Sequence, residues 1–198
     1  VLAGKDAAIQ VLAALAGRTR GRGERRLSVS LLHSATSALV NVAQNALVTG
    51  TEARRWGNAH PNLVPYQVFD AQDRPIVIAV GSDAQFASCA RALGLDSLAD
   101  DATLATNAGR VAARERVVRE IAVRVQSAPA AQWIAALDAA NVPCGVVKPV
   151  LEALQAVHGS ALTGIAPLAP MQIRRPPPRL DEHGARVRAL GWEAFAEG

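Results

Sequence analysis

The chain has 198 residues, half of them hydrophobic, and carries a formal net charge of +4. That composition can build a buried core and excludes a disordered chain. Two cysteines, Cys89 and Cys144, without CxxC spacing exclude a disulfide framework and a thiolate zinc site.

The apolar residues Ile9, Leu12, Leu15 and Ala16 recur at helical spacing, so a helix is predicted from Gly4 to Ala16 with Gly17 as its stop. A Gly/Arg-rich loop follows. Leu27–Leu32 alternates and reads as a short strand, and Ala35–Val48 reads as a helix closed by Gly50. The uncharged run from Leu27 to Thr51 is long enough to cross a membrane. It contains Ser28, Ser30, His33, Asn41, Gln44, Asn45 and Thr49, each of which would need a partner in hydrocarbon, so the strand-plus-helix reading of a soluble protein is preferred.

Arg54–Pro65 has no period and holds Gly57, Asn58, His60, Pro61, Asn62 and Pro65, the composition of an ordered loop. Tyr66–Phe69 and Ile76–Val80 read as strands, with Pro75 at a strand start where no ladder donor is needed. Ser82 and Gln85 have capping-box spacing before a helix that turns Phe86, Cys89, Ala90 and Leu93 inward and ends at Gly94. A helix from Arg110 to Val125 carries a stripe of Val118, Ile121, Ala122 and Val125, with Glu115/Arg119 and Glu120/Arg124 as i,i+4 pairs. The next, Ala130–Ala140, buries Trp133, Ile134 and Leu137 and leads into a strand over Val142–Val147. Leu151–Val157 is weakly helical, Met171–Arg175 reads as a short strand, Pro176–Pro178 as an extended stop, and Glu182–Leu190 as a last helix.

The predicted organisation is α/β in three parts: residues 1–55, a compact α+β unit over 56–147, and a tail over 148–198 with little core of its own. The basic residues are nearly all Arg, clustered at Arg18–Arg26 and at Arg54–Arg55. A phosphate-contacting patch and a solvated loop are the two readings. The loop is favoured, and no nucleic-acid partner is predicted, because no recognition motif or aromatic interleaving accompanies the charge. His33, His60, His158 and His183 show no i,i+4 spacing, so no metal site is predicted, and neither a GxSxG elbow nor a P-loop occurs. Gly57–Tyr66 reads equally as a rigid connector or as a loop whose backbone N–H groups close over a substrate.

The run GNAHPNLVPYQVF (57–69) resembles a segment of the family III CoA transferases, the CaiB/BaiF family. IAVGSDAQFASCARALGL (78–95), ATNAGRVAARERV (105–117), WIAALDAANVPCGVV (133–147) and RRPPPRLDEHG (174–184) follow in matching order, and SVSLLHSA (28–35) precedes it. The resemblance implies the C-terminal part of such a protein. Residues 1–55 would end a Rossmann-like large domain, 56–147 would form the small α+β domain, and 148–198 would return to the large domain. It implies a cytoplasmic enzyme, an interlocked homodimer at full length, with acyl-CoA and a free carboxylic acid as substrates and no tightly bound cofactor. The family nucleophile is an aspartate, which forms an anhydride and then an aspartyl-CoA thioester. No aspartate here stands in its context, so it is expected upstream of Val1, with the isolated chain inactive.

Gly57, Asn58, His60 and Asn62 are carried over as loop residues lining the acyl site. Formyl-CoA transferases have a glycine-rich loop at this place, whereas GNAHPNL has one glycine, which argues against a mobile lid and for a different acceptor. A β-hairpin common in relatives is expected to be missing between Val157 and Met171. The alternatives are the α-methylacyl-CoA racemase branch, which typically has Glu in place of Asp83, and a non-catalytic half that needs a partner chain.

Overall fold

The structure is a computed structural model that describes residues 1–18, 26–156 and 178–195. The element order is α1 (Leu2–Arg18), α2 (Leu31–Ser37), α3 (Val40–Thr49), β1 (Tyr66–Asp70), β2 (Pro75–Ala79), α4 (Asp83–Ala92), α5 (Asp96–Ala99), a 3-10 turn (Ala102–Leu104), α6 (Asn107–Ala112), α7 (Arg114–Val125), α8 (Ala130–Ala139), β3 (Cys144–Val146), α9 (Val150–Ala156), α10 (Gly184–Leu190) and a closing 3-10 turn (Gly191–Phe195). The fold is mixed α/β, as expected.

The sheet is antiparallel in the order β1-β2-β3. Tyr66 pairs with Ala79, Asp70 with Pro75, and Ile76 with Val146. Its central strand, β2, sends Ile76 and Ile78 into full burial while Val77 and Ala79 are half-buried, the alternation of a strand with one face on a core. Helices α4, α7 and α8 add Phe86, Cys89, Leu93, Val117, Ile121, Val125, Trp133 and Leu137 to that core, and Val64, Leu98 and Leu104 join it from outside them. The Trp133 indole N–H donates to the Val125 carbonyl at 2.7 Å, so this large apolar ring is buried with its polar atom satisfied. The cluster lies wholly between Val64 and Val146.

Several expected elements are present: α1, both strands around Pro75, α4 with its inward stripe, α8, and α3 closed by Gly50 at φ 65°. The capping pair also forms. The Ser82 hydroxyl accepts from Gln85 N–H, and the Gln85 side chain reaches back to Gly81 N–H at 2.8 Å.

Other expectations are corrected. No strand forms over Leu27–Leu32. Ser30 instead caps α2, its hydroxyl accepting from His33 N–H, and no described strand lies beside the segment. The helix expected over 35–48 is split, because the chain turns at 38–39 and Val40 takes φ 45°, outside the helical region. The helix expected over 110–125 is likewise two, broken at Ala113. Neither expected ion pair on α7 forms among the described residues. Glu120 approaches Arg116 instead, at 3.9 Å, and Arg124 turns to the Leu93 carbonyl at 2.6 Å, where its guanidinium lies over Trp133. A carbonyl at a helix end is a better partner for Arg124 than an exposed carboxylate that water already solvates.

Most of the Gly/Arg-rich loop, the Met171–Arg175 strand and the region of the missing hairpin lie outside the described residues. Among the described residues no helix is long and apolar enough to cross a membrane, and no group of His, Cys, Asp and Glu could hold a metal ion.

Candidate functional site

The loop from Gly57 to Leu63 is held from every side by polar contacts. Gly57 sits at φ 62°, a left-handed conformation that glycine adopts without a Cβ penalty, and it starts the turn. Asn58 accepts the Val68 N–H at 3.0 Å, tying the loop to β1. The His60 backbone N–H donates to the Tyr66 carbonyl at 2.9 Å, and its ring stacks on Tyr66 at 5.2 Å between centroids.

Inside the loop His60 Nδ1 accepts from Asn62 N–H at 3.0 Å. That acceptor role requires the neutral tautomer with its proton on Nε2. Nε2 lies 3.2 Å from Asn41 Nδ2 on α3, and with the proton on Nε2 the Asn41 amide must be turned over so that its oxygen accepts that proton. Burial, and then the Arg114 guanidinium nearby, hold the His60 pKa below its ordinary value, in agreement with a neutral ring. Below the ordinary histidine pKa of about 6.5 the unfolded chain therefore takes up its proton first. Stability contributed by His60 is complete above that pH and declines as pH falls toward the lower folded value. An NMR titration of the His60 ring should give a midpoint below the ordinary histidine value of about 6.5, and a midpoint above it would contradict the neutral, acceptor role.

Three neighbouring elements clamp the loop. On α3, Asn45 and Asn62 exchange a reciprocal pair of amide hydrogen bonds at 2.7 and 2.9 Å. On α6, the Asn107 side chain donates to the Asn62 carbonyl at 2.7 Å and accepts from Val64 N–H at 3.3 Å. Arg110 donates from Nε to the Val64 carbonyl at 2.9 Å. On α7, Arg114 donates to the carbonyls of His60 and Pro61 at 3.1 and 2.6 Å. Asn107 and Arg110 lie three apart on α6, and Arg114 opens α7 just beyond the break at Ala113, so all three bring donors to the loop.

The four residues expected to line the acyl site thus lie on one loop, and side chains of α3, α6 and α7 hold that loop in place. Sequence reasoning did not single out Arg110, Arg114, Asn107, Asn41 or Asn45 as its anchors. The signal available was the i,i+4 spacing of Asn41 and Asn45 on a helix otherwise free of charge.

Two cavities adjoin this loop. One, of about 280 Å³, lies between α3 and the loop and is lined by Asn45, Thr49, Arg54, Trp56, Pro61 and Asn62 among others. The second, of about 550 Å³, lies on the far side of Trp56 against the start of α7. Both cysteines sit away from the loop, and burial raises both thiols, Cys89 to about 12 and Cys144 to about 11. Neither supplies a thiolate nucleophile.

The chain matches the model of CoA-transferase family III over residues 1–189. It is 31% identical over 198 residues to the succinate–glutarate CoA-transferase of Agrobacterium fabrum, covering 90% of this chain and 50% of that protein. It is 34% identical over 151 residues to the succinyl-CoA:glutarate CoA-transferase of Mus musculus, covering 75% and 35%. To the acetyl-CoA:oxalate CoA-transferase of Acetobacter aceti it is 30% identical over 193 residues, covering 90% and 50%. Among solved structures, a CaiB/BaiF family protein from Brucella suis superimposes with a TM-score of 0.67 at 30% identity, over 96% of this chain and 54% of that one. A Mycobacterium tuberculosis protein shares the fold, with a TM-score of 0.67 at 21% identity, over 93% and 52%. The chain spans about half the length of these relatives or less. With the family model matched along nearly its whole length, this chain belongs to CoA-transferase family III.

Proposed function

We propose that this chain is the C-terminal portion of an enzyme that moves CoA between an acyl-CoA thioester and a free carboxylic acid. The observation that carries the reading is the identity, along nine-tenths of the chain, with CoA-transferases that act on glutarate and on oxalate. The acids in those names are dicarboxylic.

In the proposed reaction an aspartate outside this chain attacks the thioester carbonyl. The C–S bond breaks, leaving an aspartyl–acyl anhydride and the CoA thiolate. The thiolate then attacks the aspartyl carbonyl, which frees the donor acid and leaves aspartyl-CoA. The acceptor carboxylate repeats the sequence in reverse, and the aspartate is restored. Each intermediate remains activated, so one difficult exchange becomes four easier steps. An anhydride is lost if water reaches it. The role assigned to Gly57, Asn58, His60 and Asn62 is to wall the acyl site with a loop already fixed by Asn45, Asn107, Arg110 and Arg114. A wall that does not have to close costs no ordering entropy when substrate arrives.

Residues 1–55 and 148–198 are assigned to a large domain and 56–147 to a small one, in a cytoplasmic homodimer. The test is transfer of radiolabelled CoA from succinyl-CoA to free acids by the full-length protein. Label should appear in a second acyl-CoA, while the 198-residue chain alone should transfer none. Deuterium entering the α-carbon without CoA exchange would establish the racemase chemistry in its place.

A further inference from the structure

Trp56 gathers two cations. The guanidinium of Arg54 lies 4.0 Å from the centroid of its ring and that of Arg114 lies 4.9 Å away. The two repel, and after burial the Arg54 charge is the second cause that lowers the Arg114 pKa. Among the described residues the ion pairs involve other arginines: Arg74, Arg91, Arg110, Arg116 and Arg188. Among the described residues no carboxylate pairs with Arg54 or Arg114. Glu115 lines one cavity beside Trp56 and Glu52 the other, and neither forms an ion pair with Arg54 or Arg114 among the described residues. Arg114 has two N–H groups committed to the loop carbonyls. Arg54 has none committed among the described residues, and it lines both cavities, including the one walled by Pro61 and Asn62.

An uncompensated pair of guanidinium groups held at one indole ring is a site short of an anion. We propose that Arg54 and Arg114, set around Trp56, bind the far carboxylate of the acceptor and so make this protein selective for dicarboxylic acids. The proposal rests on the CoA-transfer reading. In that reaction one carboxylate of the acceptor loses its charge as it becomes a thioester. The other stays anionic from binding to release, and it needs a fixed counter-charge once water is displaced from it. A monocarboxylic acid of the same length would instead lay a methyl group against two cations.

The test is calorimetric titration of the full-length protein with glutarate and with pentanoate, in the wild type and in Arg54→Gln. Arg54 is exposed, so the substitution leaves the core alone. Glutarate should bind the wild type more tightly than pentanoate, and Arg54→Gln should reduce that preference about tenfold, the scale of a charge-assisted pair open to water. Arg54→Lys should restore part of it, and Glu115→Gln should increase it. Equal affinity for the two acids in the wild type, or equal weakening of both by Arg54→Gln, overturns the proposal. The transfer assay reads separately. A wild type that shows no glutarate preference while CoA transfer is intact defeats this inference alone, and a wild type that keeps the preference without CoA transfer to any acid defeats the functional reading alone.

Discussion

Replacing Arg110 with alanine should cost about 3–5 kcal/mol of stability, the upper range for a single residue. Arg110 is 1% exposed, one of the few buried polar residues among those described. Its Nε donates to the Val64 carbonyl at 2.9 Å and one terminal nitrogen to the Leu104 carbonyl at 3.0 Å. Its plane lies over Phe86 at 4.6 Å, and only its outer nitrogen reaches a carboxylate, that of Asp83 at 2.8 Å. Asp83 is half exposed, so water recovers that carboxylate when the arginine is removed and the ion pair itself contributes little.

The carbonyls decide the cost. Each buried acceptor left without a donor costs about 1–3 kcal/mol, and the lost stem leaves a void against Phe86. Arg110→Met, which keeps the stem, should still cost about 2–4 kcal/mol on the same grounds, while Asp83→Asn should cost less than about 1. Urea denaturation of the three variants orders them. A loss of less than about 1 kcal/mol in Arg110→Met would show that the carbonyls are not what the guanidinium satisfies. Val64 directly follows the 57–63 loop, so the methionine variant should also speed amide exchange over residues 57–64.

The parts of this fold that were legible in the sequence are those where one local signal has one meaning. Phe86, Cys89, Ala90 and Leu93 all turn inward, because helical period and burial coincide on a helix with a clear cap and a glycine stop. Pro75 marked its strand start because a missing N–H is tolerated there. Leu27–Leu32 failed because Ser between apolar residues fits both strand alternation and a helix cap, and over six residues the two patterns look alike. The breaks at Ala38–Leu39 and at Ala113 had no signal at all, since alanine and leucine are strong helix formers and the breaks arise from packing.

The loop residues were legible from their Gly, Asn and Pro content. Their anchors were not, because each is remote in sequence: Asn45 lies 17 residues from Asn62, Arg110 46 from Val64, and Arg114 54 from His60. A buried arginine has no signature in a periodicity window. Arg110 and Arg114 lie outside the apolar stripe predicted for that segment, and nothing in the local pattern marks them as anchors of a loop some fifty residues away.

Gly109→Ala separates these two levels by the sign of its effect. On helix propensity alone the substitution should stabilise α6 by about 1 kcal/mol. In the fold, a Cβ on Gly109 would collide with the carbonyl oxygen of Thr103. That oxygen cannot easily yield. The Asp101 carboxylate fixes Thr103 through its N–H at 2.8 Å and its hydroxyl at 2.6 Å, and Leu104 beside it is fully buried. Moving Thr103 also moves the Leu104 carbonyl, one of the acceptors that seat Arg110. The expected result is therefore a loss of about 1–3 kcal/mol, as for other overpacked sites, together with faster exchange in the loop that Asn107 and Arg110 hold. Gly4→Ala in α1 is the control, because nothing lies within 4 Å of its added carbon, and it should follow propensity and be neutral or stabilising. If both substitutions stabilise, α6 does not rest on the 102–104 turn, and the donors of Asn107, Arg110 and Arg114 have no fixed base from which to hold the loop.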